Sequence, residues 1–223
     1  MTETPLTPTA QDYVKIVWNA TEWSDARVTT KALAERLGVS APTVSENVRK
    51  LVAAGLLDHE PYGAITLTAE GERRALDMVR RHRLIETFLV TQLGYGWDEV
   101  HDEAEVLEHA CSSRMIDAID ARLGHPTRDP HGDPIPSASG RIDLVPGTNL
   151  AEAEQGDWVV VRLSDADPAV LRDLATLGLN LDASIRVLGP DGSGGIRVET
   201  AEATALTVPP ATADAVWLVP QGS

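Results

Sequence analysis

"VTTKALAERLGVSAPTVSENVRKLVAAGLL", residues 28–57, reads as two helices with a tight break between them. Leu33, Ala34 and Leu37 recur at helical spacing, and Gly38 stands where a chain leaves a helix through left-handed backbone. Ser40 offers an oxygen to the orphan amides of the next helix. Pro42 falls in that helix's first turn, where a missing N–H costs little. Val44, Val48, Leu51 and Val52 make one apolar stripe, and Gly55 closes it. Ser40, Ala41, Pro42, Thr43, Ser45 and Glu46 give the second helix a small, polar leading edge. Such an edge can approach base pairs closely, with hydroxyls reaching base edges and methyl groups meeting thymine. Arg49 and Lys50 at its far end suit phosphates, as do Arg27, Lys31 and Arg36 nearby. Helix-start chemistry alone explains any one of these residues, so the weight rests on the order of the elements.

That order extends in both directions. Upstream, "TAQDYVKIVWNATE" (9–22) carries Tyr13, Ile16, Val17 and Ala20 at helical spacing, with Thr9 as its expected cap. Downstream, Leu56–His59 and Ala64–Thr68 read as two short strands around a Pro-Tyr-Gly turn, and a further helix begins at Thr68. Helix, helix, turn, helix, hairpin, helix is the order of a winged helix-turn-helix.

From Glu70 to about Leu93 the helix continues, with Leu76, Val79, Leu84, Ile85, Phe88 and Leu89 on a broad apolar face. "GYGWDE" (94–99) breaks it. Helices follow over roughly Val100–Met115 and 113–124, either separate or continuous with each other, and "HPTRDPHGDPIPSASG" (125–140) is too rich in proline and glycine to be other than an ordered loop or linker. After Pro146 the periodicity changes: "DWVVVRL", "SIRVLG", "GIRVET" and "AVWLVP" are β-type runs, with one helix, "PAVLRDLATLG", among them. The expected fold is multidomain α+β. A winged helix-turn-helix occupies 1–74, a helical domain 75–145 and a small β-barrel 146–223.

The net charge of −15 argues against attraction of nucleic acid or anionic membrane to the whole surface. The first 74 residues hold ten acids and eight bases, residues 75–146 thirteen and seven, and residues 147–223 eleven and four. DNA binding therefore requires the bases of the first third to share a face, and the acidic remainder suits a divalent cation. No apolar run approaches a membrane span, the polar N-terminus lacks a secretory pattern, and the single Cys111 cannot form an internal disulfide. These features predict a cytoplasmic protein without membrane partners.

"HDEAEVLEH" (101–109) is where a cation site is most legible. At about 100° per residue, His101, Glu105, Glu108 and His109 share one arc. Val100, Ala104, Leu107 and Cys111 fall in another sector, and Asp102 and Glu103 point elsewhere. His82 and Glu86, four apart on the preceding helix, and Asp12 on the first helix can add to a mixed nitrogen and oxygen donor set of the kind that suits Mn²⁺, Fe²⁺, Co²⁺, Ni²⁺ or Zn²⁺. The competing reading is a solvated charged face with a surface ion pair.

"APTVSENVRKL", "RRHRLIETFL" and "HDEAEVLEH", in that order and spacing, resemble the diphtheria toxin repressor family of metal-dependent transcriptional regulators, in particular its manganese-sensing branch. The resemblance covers nearly the whole chain. It implies helical dimerisation over 75–145 and an SH3-like (FeoA-like) barrel over 146–223. It also implies two metal sites: Asp12, Glu105, Glu108 and His109 in the one that activates DNA binding, and His82, Glu86 and His101 in the other. Asp165 or Asp167 of the barrel is a further ligand candidate for the second site, and Arg83 matches a position that supports an anion. Iron-sensing members carry Met and Cys where Asp12 and Glu105 stand, so hard oxygen donors here point to Mn²⁺, with Fe²⁺, Co²⁺ or Zn²⁺ as substitutes. Short manganese sensors carry Glu where Lys15 stands, which implies separate sites rather than a close pair of ions.

The function expected is a manganese-dependent repressor of metal-uptake genes. It would be a homodimer on a palindromic double-stranded operator, with no enzymatic activity and no small-molecule substrate. The alternatives are an iron-dependent regulator of the same family, a metal-independent winged-helix regulator, and a metal-dependent hydrolase.

Overall fold

The structure is a computed structural model that describes residues 6–22, 27–60, 63–144, 146–202 and 205–222. It divides into two compact units. One comprises Met1–His82 with Pro136–Arg141, the other Arg83–Ile135 with Ile142–Ser223. The division thus falls inside a helix, where the sequence reading placed a domain boundary nearer residue 74.

In the first unit, α1 spans Pro8–Glu22, α2 Thr30–Leu37 and α3 Ala41–Ala53. Helix α1 starts one residue earlier than expected: Thr7, not Thr9, accepts from the Ala10 amide at 3.3 Å, leaving Pro8 at the helix start. Gly38 adopts φ 65° at the end of α2, and Ser40 accepts from the Thr43 amide at the start of α3. Strands β1 (Leu57–His59) and β2 (Ile65–Leu67) form the antiparallel wing, with Leu57 opposite Leu67 and His59 opposite Ile65. Pro61 and Tyr62 of the expected turn lie outside the described residues. Val28 adds to the wing by accepting from the Ile65 amide at 2.9 Å. Tyr13, Val14, Val17, Leu33, Val44, Val48, Leu57 and Ile65 are all buried in this unit.

Helix α4 runs Ala69–Phe88 and winds into a π-helical turn over Leu89–Leu93, ending at Gly94 with φ 75°. Gly71, in its first turn, packs against the chain entering the wing, where a Cβ would sit 1.9 Å from the Leu56 carbonyl oxygen.

In the second unit, α5 (Val100–Ala110) and α6 (Ser113–Leu123) are separate helices, because Cys111 is extended and Ser112 caps α6. Leu84, Ile85, Leu89, Val100, Ala104, Ile116, Ile119 and Ile135 form one apolar core. The barrel strands are β3 (Thr148–Asn149), β4 (Gly156–Leu163), β5 (Ser184–Pro190), β6 (Ile196–Thr200), β7 (Ala205–Val208) and β8 (Val216–Pro220). They pair antiparallel in the order β3-β8-β4-β5-β6-β7. Register shifts between Val160 and Arg162 and between Val187 and Gly189 bend the sheet. Helices α7 (Pro168–Thr176) and α8 (Pro210–Ala213) complete it. Strands β3 and β7 and helix α8 had no sequence expectation of their own. Trp97 of the "GYGWDE" break packs against the barrel core, so that segment is an anchor as well as a helix stop. Among the described residues, no helix is long and apolar enough to cross a membrane.

Candidate metal centre and DNA-reading face

On α3, the apolar stripe Val44, Val48 and Leu51 is buried, which turns Ala41, Pro42, Thr43, Ser45, Glu46, Arg49 and Lys50 outward. Ser40 is exposed beside them, its hydroxyl 2.8 Å from that of Thr43. Arg27, Lys31 and Arg36 are also exposed. Lys50 pairs with Glu46 at 2.8 Å, and that bond followed by the Lys50 charge lowers the Glu46 carboxyl. Lys31 meets Glu35 at 3.8 Å. Exposed pairs of this kind are weak and open readily toward a phosphate. The Tyr13 hydroxyl accepts from the Asn47 amide at 3.3 Å, so α1 and α3 are linked by a polar contact as well as by packing.

The charged groups of α5 lie in the second unit with α4's last turns. Glu108 is buried to 1 %, His109 is partly buried at its side, and Glu105 is exposed. Glu108 and His109 approach to 3.7 Å. His101 Nδ1 lies 3.2 Å from Glu86 Oε1 and 3.0 Å from Asp165 Oδ2, and its Nε2 is 3.7 Å from Glu105 Oε1. Burial alone would lower the His101 pKa. The Asp165 and Glu86 carboxylates outweigh it and raise the imidazole to about 10. One buried carboxylate, Glu86, and one half-buried carboxylate, Asp165, facing the same imidazole make a site that requires positive charge, supplied by a proton or by a cation.

The start of α7 gives the two barrel candidates different tasks. Asp165 stands with His101 and Glu86, whereas Asp167 caps α7 by accepting from the Ala169 amide at 2.8 Å. His82 and Asp12 belong to the first unit, with His82 one turn before Glu86 on α4. There the buried Lys15 Nζ lies 3.1 Å from His82 Nδ1.

Beyond Arg83, the sequence reading passed over the members of one buried group. Arg83 donates to the Pro134 carbonyl at 2.6 Å and lies 3.8 Å from Asp129 and 3.7 Å from Asp133. Asp133 also accepts from Arg162 at 2.5 Å. Burial, then the nearby Asp133 and Glu86 charges, push the Asp129 carboxyl well up, with Arg83 opposing. Between them, His131 is fully buried. Asp129-Pro130-His131-Gly132-Asp133 offers donor side chains at every second position, a signal hidden by its proline-rich setting.

A winged helix-turn-helix joined to a helical unit rich in imidazole and carboxylate, and then to a small β-barrel, defines a metal-linked DNA-binding protein. Comparison makes the family specific. Residues 5–65 match the iron dependent repressor N-terminal DNA binding domain, residues 68–137 its metal binding and dimerisation domain, and residues 148–220 the FeoA domain. The iron-dependent repressor IdeR of Mycobacterium leprae is 34% identical over 148 residues, 66% of this chain and 63% of that protein. The chain thus aligns with a little under two thirds of that relative's length. The diphtheria toxin repressor of Corynebacterium efficiens is 34% identical over 187 residues, 82% of this chain and 81% of that one. A solved manganese-dependent transcriptional repressor in complex with manganese superposes with a TM-score of 0.90 at 54% identity, covering 95% of this chain and 99% of that chain. The chain belongs to the diphtheria toxin repressor family of metal-dependent transcriptional repressors.

Proposed function

We propose that this chain is a manganese-activated transcriptional repressor, a cytoplasmic homodimer that binds a palindromic operator of metal-uptake genes. In this reading Asp12, Glu105, Glu108 and His109 form the activating site. His82, Glu86, His101 and Asp165 form the second, with Arg83 beside it as the partner of an anion or of the chain's own Asp129 and Asp133 carboxylates. The observation that carries the reading is the donor chemistry: imidazoles and carboxylates only, while the single cysteine, Cys111, is buried in the helical core. A set without sulfur favours a hard ion, and Fe²⁺, Co²⁺ or Zn²⁺ remain substitutes. Kinship with the M. leprae iron-dependent repressor favours Fe²⁺ as the second reading.

The bound cation supplies positive charge that holds carboxylates from two helices together. Asp12, held in this way, fixes α1, and through the Tyr13–Asn47 contact and the shared core it fixes α3. Each reading helix is then set at one spacing from its partner, and the fraction of binding-competent dimers rises. Exposed Val106 and Met115, 69% and 51% accessible on α5 and α6, are apolar groups that a dimer interface would cover. The protein acts as a regulator and not as a catalyst.

The test is fluorescence anisotropy on a palindromic DNA selected from a randomised library, titrated separately with Mn²⁺, Fe²⁺ and Zn²⁺. Saturable binding at the lowest concentration for Mn²⁺ is expected. Equal DNA binding with and without metal would end the proposal.

A further inference from the structure

We infer that Glu46 is a base-reading residue that selects cytosine through its exocyclic amino group, once in each operator half-site. The inference rests on the repressor reading and adds to it the base that one side chain demands. Val44, Val48 and Leu51 are buried, so α3 can meet a major groove only with its opposite face, and Glu46 stands exposed there. The other polar groups of the helix's first two turns are engaged within the protein. The Ser45 hydroxyl donates to the Ala41 carbonyl at 3.0 Å. Ser40 Oγ accepts from the Thr43 amide and lies 2.8 Å from the Thr43 hydroxyl. Asn47 donates to the Tyr13 hydroxyl at 3.3 Å, and Ala41 and Pro42 bring no polar side-chain atom. Over residues 40–47, Glu46 is thus the side chain that carries its polar atoms outward from the helix.

Its charge narrows what it can read. Phosphates repel a carboxylate, so an acid on this face opposes every sequence that offers it no donor. In the major groove the donors are cytosine N4 and adenine N6. Adenine sets its N7 acceptor beside N6, against the second carboxylate oxygen, and guanine and thymine present acceptors only. Cytosine is the base whose edge a carboxylate matches.

Lys50, one turn further along α3, suits Glu46 to this task. Its Nζ lies 2.8 Å from Glu46 Oε1 and offsets the charge that phosphates would repel. That bond, followed by the Lys50 charge, lowers the Glu46 carboxyl, so it meets a base as an acceptor only. A carboxylate accepts at two oxygens, and a lysine at one of them leaves lone pairs for the base.

The test compares wild type, Glu46→Gln and Glu46→Ala. Each selects from a randomised palindromic duplex library at saturating MnCl₂, and the selected wild-type duplex and its single-base variants are then titrated by anisotropy. Glu46 is exposed in mid-helix and both replacements are good helix formers, so all three chains should show native circular dichroism. Wild type should demand cytosine at one position of each half-site. Glu46→Gln should prefer adenine there, because an amide pairs with N6 and N7 together, and Glu46→Ala should accept any base. Replacing that cytosine with thymine should weaken wild type about 5- to 100-fold and leave Glu46→Ala unchanged. Identical base preferences in all three proteins would overturn the inference and leave the repressor reading standing. So would a Glu46→Ala chain that binds every sequence more tightly with its preferences intact, the mark of an acid that only repels phosphate. A wild type without sequence-selective, Mn²⁺-dependent binding would end both.

Discussion

Apart from the buried Lys15, Arg80 and His82 of the first unit, the two units handle charge in opposite ways. In the DNA-reading unit, Arg27, Lys31, Arg36, Arg49 and Lys50 are exposed, and their pairs are surface contacts along a helix, such as Lys50 with Glu46. In the second unit Arg83, Glu86, Glu108, Asp129, His131, Asp133 and Arg162 are buried. Exposed ions cost little to keep and little to release, which suits a surface that exchanges water for phosphate. Buried ions are expensive unless each finds a counter-charge, so that unit is organised around where its positive charges sit.

The sharpest way to break this contrast is to remove a buried partner. Arg162→Met leaves Asp133 buried with only the more distant Arg83, and we expect a loss of about 3–4 kcal/mol in urea unfolding. A change under about 1 kcal/mol, as expected for a surface pair, would erase the distinction. Asp12→Ala is next. It should lower Mn²⁺-stimulated operator affinity by about 100-fold, the upper range of allosteric couplings, with native circular dichroism retained. Undiminished stimulation in anisotropy would remove Asp12 from the activating site.

His101 sharpens the comparison through pH. Its pKa is raised from 6.5 to about 10, so the proton stabilises the metal-free fold fully below about pH 6.5, and that contribution fades as pH rises to about 10. Mn²⁺ must displace this proton, so affinity at the His101 cluster should fall by up to about tenfold for each pH unit below about 10. Calorimetry in buffers of different ionisation enthalpy should register the released proton, and binding independent of pH would contradict it. Glu105→Cys should move the metal ranking in the anisotropy titration toward Zn²⁺ or Fe²⁺, and an unaltered ranking would count against Glu105 as a ligand. The smallest effect belongs to the exposed side. Arg49→Ala should weaken all DNA sequences alike and flatten the log–log salt dependence by about 0.9 per lost phosphate contact, and a sequence-selective loss would make it a base-reading residue instead.

Legibility followed the range of the interactions. Residues 28–57 were readable because caps, stops and an apolar stripe act within one helix. Ser40, Pro42 and Gly38 do in the structure what their chemistry predicts. "HDEAEVLEH" was readable as a helix face for the same reason, with Val100 and Ala104 buried and the donors beside them. Whether a break falls between Val100–Met115 and 113–124 was left open because both flanks of Cys111 and Ser112 are helical in composition. The choice between Asp165 and Asp167 was closed to sequence reading: two like residues two apart take opposite tasks once α7 needs a cap.

The sequence by itself determined the order of elements, the reading helix and its exposed edge, and the donor types that make a hard cation the expected ligand. Local periodicity and side-chain chemistry suffice for these. Only the tertiary structure decided that Asp165 and not Asp167 stands with His101 and Glu86, that Lys15 stands against His82, and that a proline-rich loop turns Asp129 and His131 inward. Those pairings join residues far apart in the chain, and their free energy depends on burial, which raises the cost of an uncompensated charge only after the fold has excluded water.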